Sequence, residues 1–101
     1  MLFKVQVAAD REYANKIDAT GGPGPVFAKI AERFRPQALY GNPTRREVMM
    51  IVDLETPAKV AELMYVLTWF AGVEPTFTPL VKPEVFDEAI TNAKRIISPP
   101  K

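Results

Sequence analysis

Two polar side chains on the first predicted strand are the residues best suited to chemistry. Lys4 and Gln6 alternate with apolar residues in the segment Leu2–Ala8 and therefore share one face of the strand. A lysine removed from water has a lowered pKa and can act as a base, whereas a neighbouring carboxylate keeps it charged. Asp53, on another predicted strand, is the carboxylate expected to pair with Lys4. A structural hydrogen-bond network across a subunit interface is the favoured alternative explanation.

A second polar group surrounds a predicted turn between two strands. Its members are Tyr40, Asn42, Arg45 and Arg46. Because arginine presents paired N–H donors that match a carboxylate or a phosphate, these residues together could clamp an anion. The favoured alternative is a simple turn in which Asn42 supplies the backbone geometry and the arginines are solvated.

Two further features are compatible with ligand binding. Trp69 and the methionines Met49, Met50 and Met64 could line a soft apolar pocket, although residues at these spacings more often belong to a core. Residues 21–25 (GGPGP) precede a predicted helix, whose free N–H groups could hold an anion. This segment matches no phosphate-binding or dinucleotide fingerprint, and its prolines lack N–H donors, so a plain flexible loop is favoured.

The residue types that are absent exclude many familiar chemistries. The chain of 101 residues contains no cysteine and no histidine. This excludes disulfides, thiol nucleophiles, zinc sites built from thiolate or imidazole, and serine–histidine triads. Acid–base chemistry would need a carboxylate, a lysine or a tyrosine with a strongly shifted pKa. We expect neither a metal nor a cofactor.

The overall composition is that of one small globular domain. Apolar residues make up 48% of the chain and charged residues 25%, which argues against disorder. Basic and acidic residues are interleaved with a net charge of +1, so no nucleic-acid partner is expected. Close basic pairs such as Arg33 with Arg35 are interpreted as solvated surface. No signal peptide or bilayer-spanning run of ~20 apolar residues is found, and a cytoplasmic, bacterial-type protein without a membrane partner is expected.

The period of the apolar residues predicts alternating strands and helices. Strands are expected at residues 2–8, 38–40, 47–54 and 74–81, helices at 26–35, 57–71 and 83–97, and a short helical turn within 10–20. The second strand is expected to end at a turn over residues 41–43. Thr56 is a suitable N-cap, Pro57 suits the first position of a helix, and Gly72 is a natural C-terminal stop.

This order of elements predicts an α+β fold, a ferredoxin-like βαββαβ unit with an extra C-terminal helix. Right-handed crossovers then give a four-stranded antiparallel sheet in the order 4-1-3-2, with helices on one face. The last strand contains Pro75 and Pro79, which lack N–H groups on the same lateral edge, so this strand should lie outermost. We expect a single domain over residues 1–97 and a frayed tail over residues 98–101.

Such a sheet has one face that its own helices do not cover. The residues expected on that face include Leu2, Gln6, Ala8, Met49 and Ile51. An apolar set of this size exceeds what a monomer usually exposes. The favoured interpretation is a homodimer that stacks sheet on sheet and closes a barrel between its subunits. The alternative is a monomer in which the terminal helix folds over the open face.

Three segments resemble small bacterial proteins of the dimeric α+β barrel superfamily. They are the start MLF, the run REVMMIVD at residues 46–53 followed by Thr56 and Pro57, and the run VEPTFTPL at residues 73–80. The nearest resemblance is to a family of uncharacterised domains within that superfamily and covers about residues 1–82. It implies the ferredoxin-like fold and the dimer, and little about activity.

Enzymes of the resembled superfamily suggest which reactions to consider. They include muconolactone isomerases, cofactor-independent quinol-forming monooxygenases and haem-degrading monooxygenases. The last group binds haem iron through a histidine, which this chain lacks, and Trp69 does not replace it.

Three hypotheses about function therefore stay open. The first is a homodimeric domain that binds a small, partly apolar or anionic molecule in the cleft between sheet and helices. The second is a cofactor-independent isomerase or monooxygenase in which Lys4, Gln6, Tyr40 or Asp53 positions protons. The third is a structural or interaction module without a ligand.

Overall fold

The computed structural model describes residues 1–97. Its elements in chain order are β1 (Leu2–Ala8), α1 (Arg11–Ala19), α2 (Gly24–Phe34), β2 (Ala38–Asn42), β3 (Glu47–Asp53), α3 (Pro57–Ala71), β4 (Thr76–Pro79) and α4 (Glu84–Ile97). The tail predicted at residues 98–101 lies outside the described residues. None of these helices is long and apolar enough to cross a membrane.

The four strands form one antiparallel sheet in the order β2-β3-β1-β4. This is the predicted order 4-1-3-2 counted from the opposite edge, and β4 is an edge strand as its prolines require. The amide of Leu80 donates to the carbonyl of Leu2 at 2.9 Å. Because the amides of a strand alternate in direction, the N–H positions of Pro75 and Pro79 point away from β1. The proline argument is confirmed.

One face of the sheet is covered by α2 and α3, and the core lies between these layers. Alternate residues of β1 and β3 point into it, and Ile30, Phe34, Leu63 and Leu67 pack on them from the helices, as their periodicity predicts. The complete buried cluster consists of Phe3, Val5, Val7, Ile30, Phe34, Val48, Met50, Val52, Leu54, Leu63, Leu67 and Ala71.

Both ends of α3 lie at the residues that the sequence predicts. The Thr56 side chain accepts a hydrogen bond from the amide of Lys59 at 3.2 Å, and Pro57 is the first helical residue. Gly72 ends the helix with φ +76°, and a Cβ placed there would lie 2.5 Å from the ring of Tyr13. Glycine is therefore required both by the left-handed backbone and by the close approach of α1.

The first half of the chain contains more regular structure than predicted. The segment expected to carry a short turn forms α1, a helix of nine residues. Asp10 accepts from the amide of Glu12 at 3.1 Å, and Ala14 is buried. The few apolar residues of α1 do lie on one side of the helix, but the segment is polar on average, so the sequence prediction underestimated its length. Helix α2 begins at Gly24, inside the segment predicted to be irregular.

The hairpin between β2 and β3 is also shifted from its predicted position. Strand β2 continues to Asn42, which pairs with Glu47, and the turn occupies residues 43–46. The turn predicted at residues 41–43 is therefore wrong. Ladder pairing with β3 extends the strand through Gly41, a residue type that ordinarily ends strands.

Helix α4 lies outside the body of the molecule. All fourteen of its residues are exposed, and the molecule measures 66 × 25 × 23 Å. Its radius of gyration is 17.7 Å, against ~13 Å for a compact domain of about 100 residues. The alternative in which this helix folds over the open sheet face of its own chain is therefore wrong. We call residues 81–97 the C-terminal arm.

Candidate ligand-binding cleft

The open face of the sheet carries Lys4 and Gln6 at its centre. The register sets Lys4 between Ile51 and Thr78, and Gln6 between Met49 and Thr76. Both polar side chains are half-buried. Neither takes part in the side-chain hydrogen bonds or ion pairs formed within residues 1–97. The polar pair is thus on the face predicted, and within residues 1–97 no side-chain hydrogen bond or ion pair engages it.

Asp53 does not pair with Lys4 as the sequence suggested. It stands opposite Leu2 at the end of β3, and its carboxylate accepts from the Met1 amino group at 2.7 Å. Lys4 lies opposite Ile51, two residue pairs further along the ladder, and the cation that contacts Asp53 is the amino group at the start of β1.

The residues of the hairpin are not assembled into an anion clamp. Asn42 accepts from the amide of Thr44 at 3.1 Å and from its hydroxyl at 2.7 Å, which is the turn geometry given as the alternative. Tyr40 is 70% exposed on the open face. Arg45 is exposed in the turn.

Arg46 belongs to a different contact altogether. Its backbone has φ +49°, its Nη1 donates to Asn15 Oδ1 at 2.7 Å, and its Nη2 lies 3.4 Å from Asp18 Oδ2. Arg46 therefore ties the hairpin to α1, and its guanidinium is occupied by that helix.

Trp69, Met49 and Met50 lie in three different environments. Trp69 is 74% exposed on the outer surface of α3, where its ring lies 5.5 Å from that of Tyr65. Met50 is in the core, whereas Met49 is on the open face of the same strand.

The loop at residues 21–25 is poorly suited to binding an anion, since the amides of Val26 and Phe27 both donate to the carbonyl of Pro23 at 3.1 Å.

A cleft of about 330 Å³ lies where the end of α2, the end of β3 and the start of α3 meet. Its lining consists of Arg33, Phe34, Arg35, Asp53, Leu54, Glu55 and Lys59. We call it the α2–α3 cleft. Its volume is within the range of small-molecule sites. Of the candidate residues predicted from sequence, only Asp53 lines it, and the basic pair Arg33 and Arg35, interpreted as solvated surface, borders it instead.

Two of the three cations of the cleft are committed to one carboxylate. Arg33 donates to Glu62 through Nε at 3.0 Å and Nη2 at 3.3 Å, and Lys59 Nζ lies 3.9 Å from the same carboxylate. The hydrogen bonds from Arg33 lower the pKa of Glu62, partial removal from water opposes them, and the charges of Arg33 and Lys59 lower it further. This network braces α2 against α3.

Arg35 is the cation of the cleft that is left without a partner. Within residues 1–97 its side chain forms no hydrogen bond and no ion pair. Its backbone has φ +48°, and its amide donates to the carbonyl of Ala31 at 3.1 Å to close α2. An L-residue in this left-handed conformation costs ~1–2 kcal/mol, which glycine would avoid.

An apolar wall lies beside this guanidinium. Phe34 and Leu54 line the cleft and are themselves largely buried in the core. Lys59 Nζ lies 5.8 Å from the centroid of the Phe34 ring, within the range of a cation–π contact. The arrangement can bind the negative group of a small molecule at Arg35 and its apolar portion against the wall.

No protein-family model matches the chain, and no curated protein matches it either. Within residues 1–97, no cluster of three or more acidic side chains is arranged to ligate a metal ion.

Proposed function

We propose that the chain is a homodimeric, ferredoxin-like α+β barrel domain that binds a small, partly apolar anion in the α2–α3 cleft. One observation supports ligand binding in this cleft. The guanidinium of Arg35, which is unpaired within residues 1–97, lies next to the apolar wall of Phe34 and Leu54. A carboxylate accepts two parallel N–H bonds from an arginine, and an aromatic or short aliphatic body would bury apolar area against the wall. The ligand class is therefore a carboxylate with an apolar body.

The backbone of Arg35 supports a binding role for this side chain. A residue in a sparsely populated conformation is a functional candidate when no local contact of its side chain explains its presence. Arg35 meets this condition, since its φ of +48° suits glycine and its guanidinium has no partner in the protomer. Arg46 has a similar φ of +49°, but its bonds to α1 give a structural reason for it.

The open sheet face supports the homodimer. It presents Met49, which is 37% exposed, beside Tyr40 and the half-buried Leu2 and Ile51. Stacking this face on that of a second copy would remove these side chains from water. It would also give Lys4 a neighbouring surface on which to find the hydrogen-bond acceptor that it lacks in the protomer.

The cleft is tested by a thermal-shift screen of aromatic and aliphatic carboxylates, with benzoate as the first probe. We expect a rise in Tm of several degrees at saturating ligand, because a ligand that binds only the folded state stabilises it. Arg35→Gly should abolish this rise without lowering the Tm of the free protein, since glycine relieves the backbone while removing the guanidinium.

The matched control is Arg45→Ala, which removes an exposed arginine outside the cleft and should leave the rise unchanged. A rise that survives in Arg35→Gly would contradict the cleft as the binding site. A library in which no carboxylate shifts the Tm would favour a module without a ligand. Separately, light scattering that finds a monomer at ~100 µM, well above the ~1 µM Kd of the weakest interfaces of standard size, would contradict the homodimer.

A further inference from the structure

The C-terminal arm carries an apolar stripe that nothing else in residues 1–97 covers. Phe86, Ala89, Ile90, Ala93 and Ile97 follow the spacing that sets side chains on one side of a helix. All of them are exposed. A helix of fourteen residues is only marginally stable alone in water and normally depends on packing of its apolar side. The stripe therefore requires a surface that the protomer does not supply.

We propose that the apolar stripe of α4 docks on a second copy of this chain, so that each protomer contributes one arm and receives another. This inference rests on the proposed homodimer and adds to it a second area of contact. The arm extends outside the body of the molecule, whose long dimension is 66 Å against 25 and 23 Å for the other two. An arm that extends outside its own body is in a position to contact a second copy of the chain, as an element exchanged between subunits must.

The area required by a stable dimer supports the exchange. The open sheet face has four strands, of which the central two have seven residues each, and its projected footprint is roughly 400 Å², from a rise of ~3.3 Å per residue and a strand spacing of ~4.8 Å. A stable interface buries ~800 Å² on each partner, about twice that footprint.

The arm supplies the missing area. One side of α4 is ~21 Å long and ~10 Å wide, which gives a footprint of roughly 200 Å². Because each protomer would give one arm and accept one, the exchange adds roughly 400 Å² per protomer and brings the total to the usual size. Sheet stacking and arm exchange together would therefore cover about twice the projected area that sheet stacking covers alone.

The charges of the arm favour a protein surface over a membrane surface. Between Glu84 and Ile97 the helix carries three acidic residues, Glu84, Asp87 and Glu88, and two basic ones, Lys94 and Arg95. Helices that lie on membranes are rich in lysine and arginine on their polar side. An amphipathic helix without an excess of positive charge fits a second protein chain better than an anionic bilayer.

Two neighbouring substitutions test the arm. Ile90→Glu introduces a charge into the apolar stripe, whereas Thr91→Glu introduces the same charge on the polar side of the same turn. Both residues are exposed in the protomer, so neither change should alter the circular dichroism spectrum or the Tm of the dissociated chain. In sedimentation velocity we expect Ile90→Glu to raise the dimer Kd at least tenfold and Thr91→Glu to change it less than twofold.

A third variant separates this inference from the homodimer itself. Met49→Glu charges the open sheet face and should also weaken the dimer. If Met49→Glu dissociates the dimer and Ile90→Glu does not, the arm proposal fails while the homodimer stands. A wild-type chain that is monomeric at 100 µM, a concentration far above the Kd of ~1 µM that a weak specific interface has, would overturn both.

Cross-linking shows directly which chain the arm contacts. Because the protein has no cysteine, Ala89→Cys creates a unique attachment point for a benzophenone maleimide on the stripe. This variant is refolded together with ¹⁵N-labelled wild-type chain and irradiated. We expect cross-links between labelled and unlabelled peptides. Cross-links confined to one chain, or flotation with phosphatidylserine vesicles that Ile90→Glu abolishes, would overturn the proposal.

Discussion

The two faces of the sheet are built from alternate residues of the same strands, yet they differ in how far residues 1–97 bury their side chains and provide hydrogen-bond partners for them. On the covered face Val5 and Val52 are fully buried, and two helices enclose them. On the open face Lys4 and Gln6 are half-buried and without hydrogen-bond partners in the protomer, and Met49 remains exposed. The helices of the same chain bury the covered face. We infer that folding and association depend on separate sets of residues.

The largest effect should follow a change on the covered side. Leu67→Ala truncates a fully buried side chain on the core side of α3. It should reduce the free energy of unfolding by about 2–5 kcal/mol, since it leaves a cavity. Met49→Ala, a truncation on the open face, should cost less than ~1 kcal/mol. Urea denaturation of both variants at one protein concentration checks the contrast. Equal losses would contradict the distinction between the faces.

A second prediction concerns the contact that joins α1 to the end of α3. Gly72→Ala should cost ~2 kcal/mol, because alanine is strained at positive φ and its methyl group displaces the ring of Tyr13. The control is Gly41→Ala on β2, where φ is not positive and an added methyl group meets only the backbone oxygen of Glu47, at 3.9 Å. We expect that control to be neutral or stabilising by up to ~1 kcal/mol. Thermal unfolding that gives the same Tm change for both would refute the proposed strain.

A third prediction tests the start of the covering helix. Thr56→Ala should cost ~1 kcal/mol, because the amide of Lys59 loses the hydroxyl that caps it. Thr56→Ser retains that hydroxyl and should keep most of the stability. Chemical denaturation measures both variants, and an equal loss in serine and alanine would show that the cap is not responsible.

The smallest effect is a pH dependence at the junction of α2 and α3. The pKa of Glu62 is lowered in the folded state by Arg33, so its stabilising contribution is present above the unfolded pKa and is lost as the pH falls through the folded one. Arg33→Ala should return the pKa of Glu62 toward its ordinary value. A carbon-detected NMR titration of the Glu62 carboxyl measures this, and a pKa that does not rise in the variant would contradict the assignment.

The same contrast explains how far sequence could predict the fold. Strand alternation, the caps at Thr56 and Gly72, and the prolines of β4 act locally or through sheet geometry, and the structure confirms them. Helix α1 has a short apolar stripe within a largely polar segment, and the sequence predicted only a turn there. The stripe of α4 was recognised from its spacing, but its location outside the body depends on surfaces that a single sequence does not reveal.

The α2–α3 cleft is harder to predict from the sequence than the fold is. Its distinguishing features are the φ of Arg35 and the lack of a partner for its guanidinium, and both depend on the packed structure. The available signal was an arginine immediately before Pro36, at a helix end where glycine is preferred. Arg46 illustrates the converse, since its position in the hairpin suggested an anion clamp while the folded chain directs it to α1.

The prolines of β4 also limit how copies of this protein can join edge to edge. Along the free side of that strand the amides of Pro75 and Pro79 are missing, so an incoming strand finds few donors there. Among the strands of residues 1–97, β2 forms the other edge, and its free side carries no proline. Joining two such edges satisfies both at once and ends the assembly, whereas an open-ended ribbon would need β4 as its second edge. We therefore expect edge-to-edge association of this chain to stop at pairs.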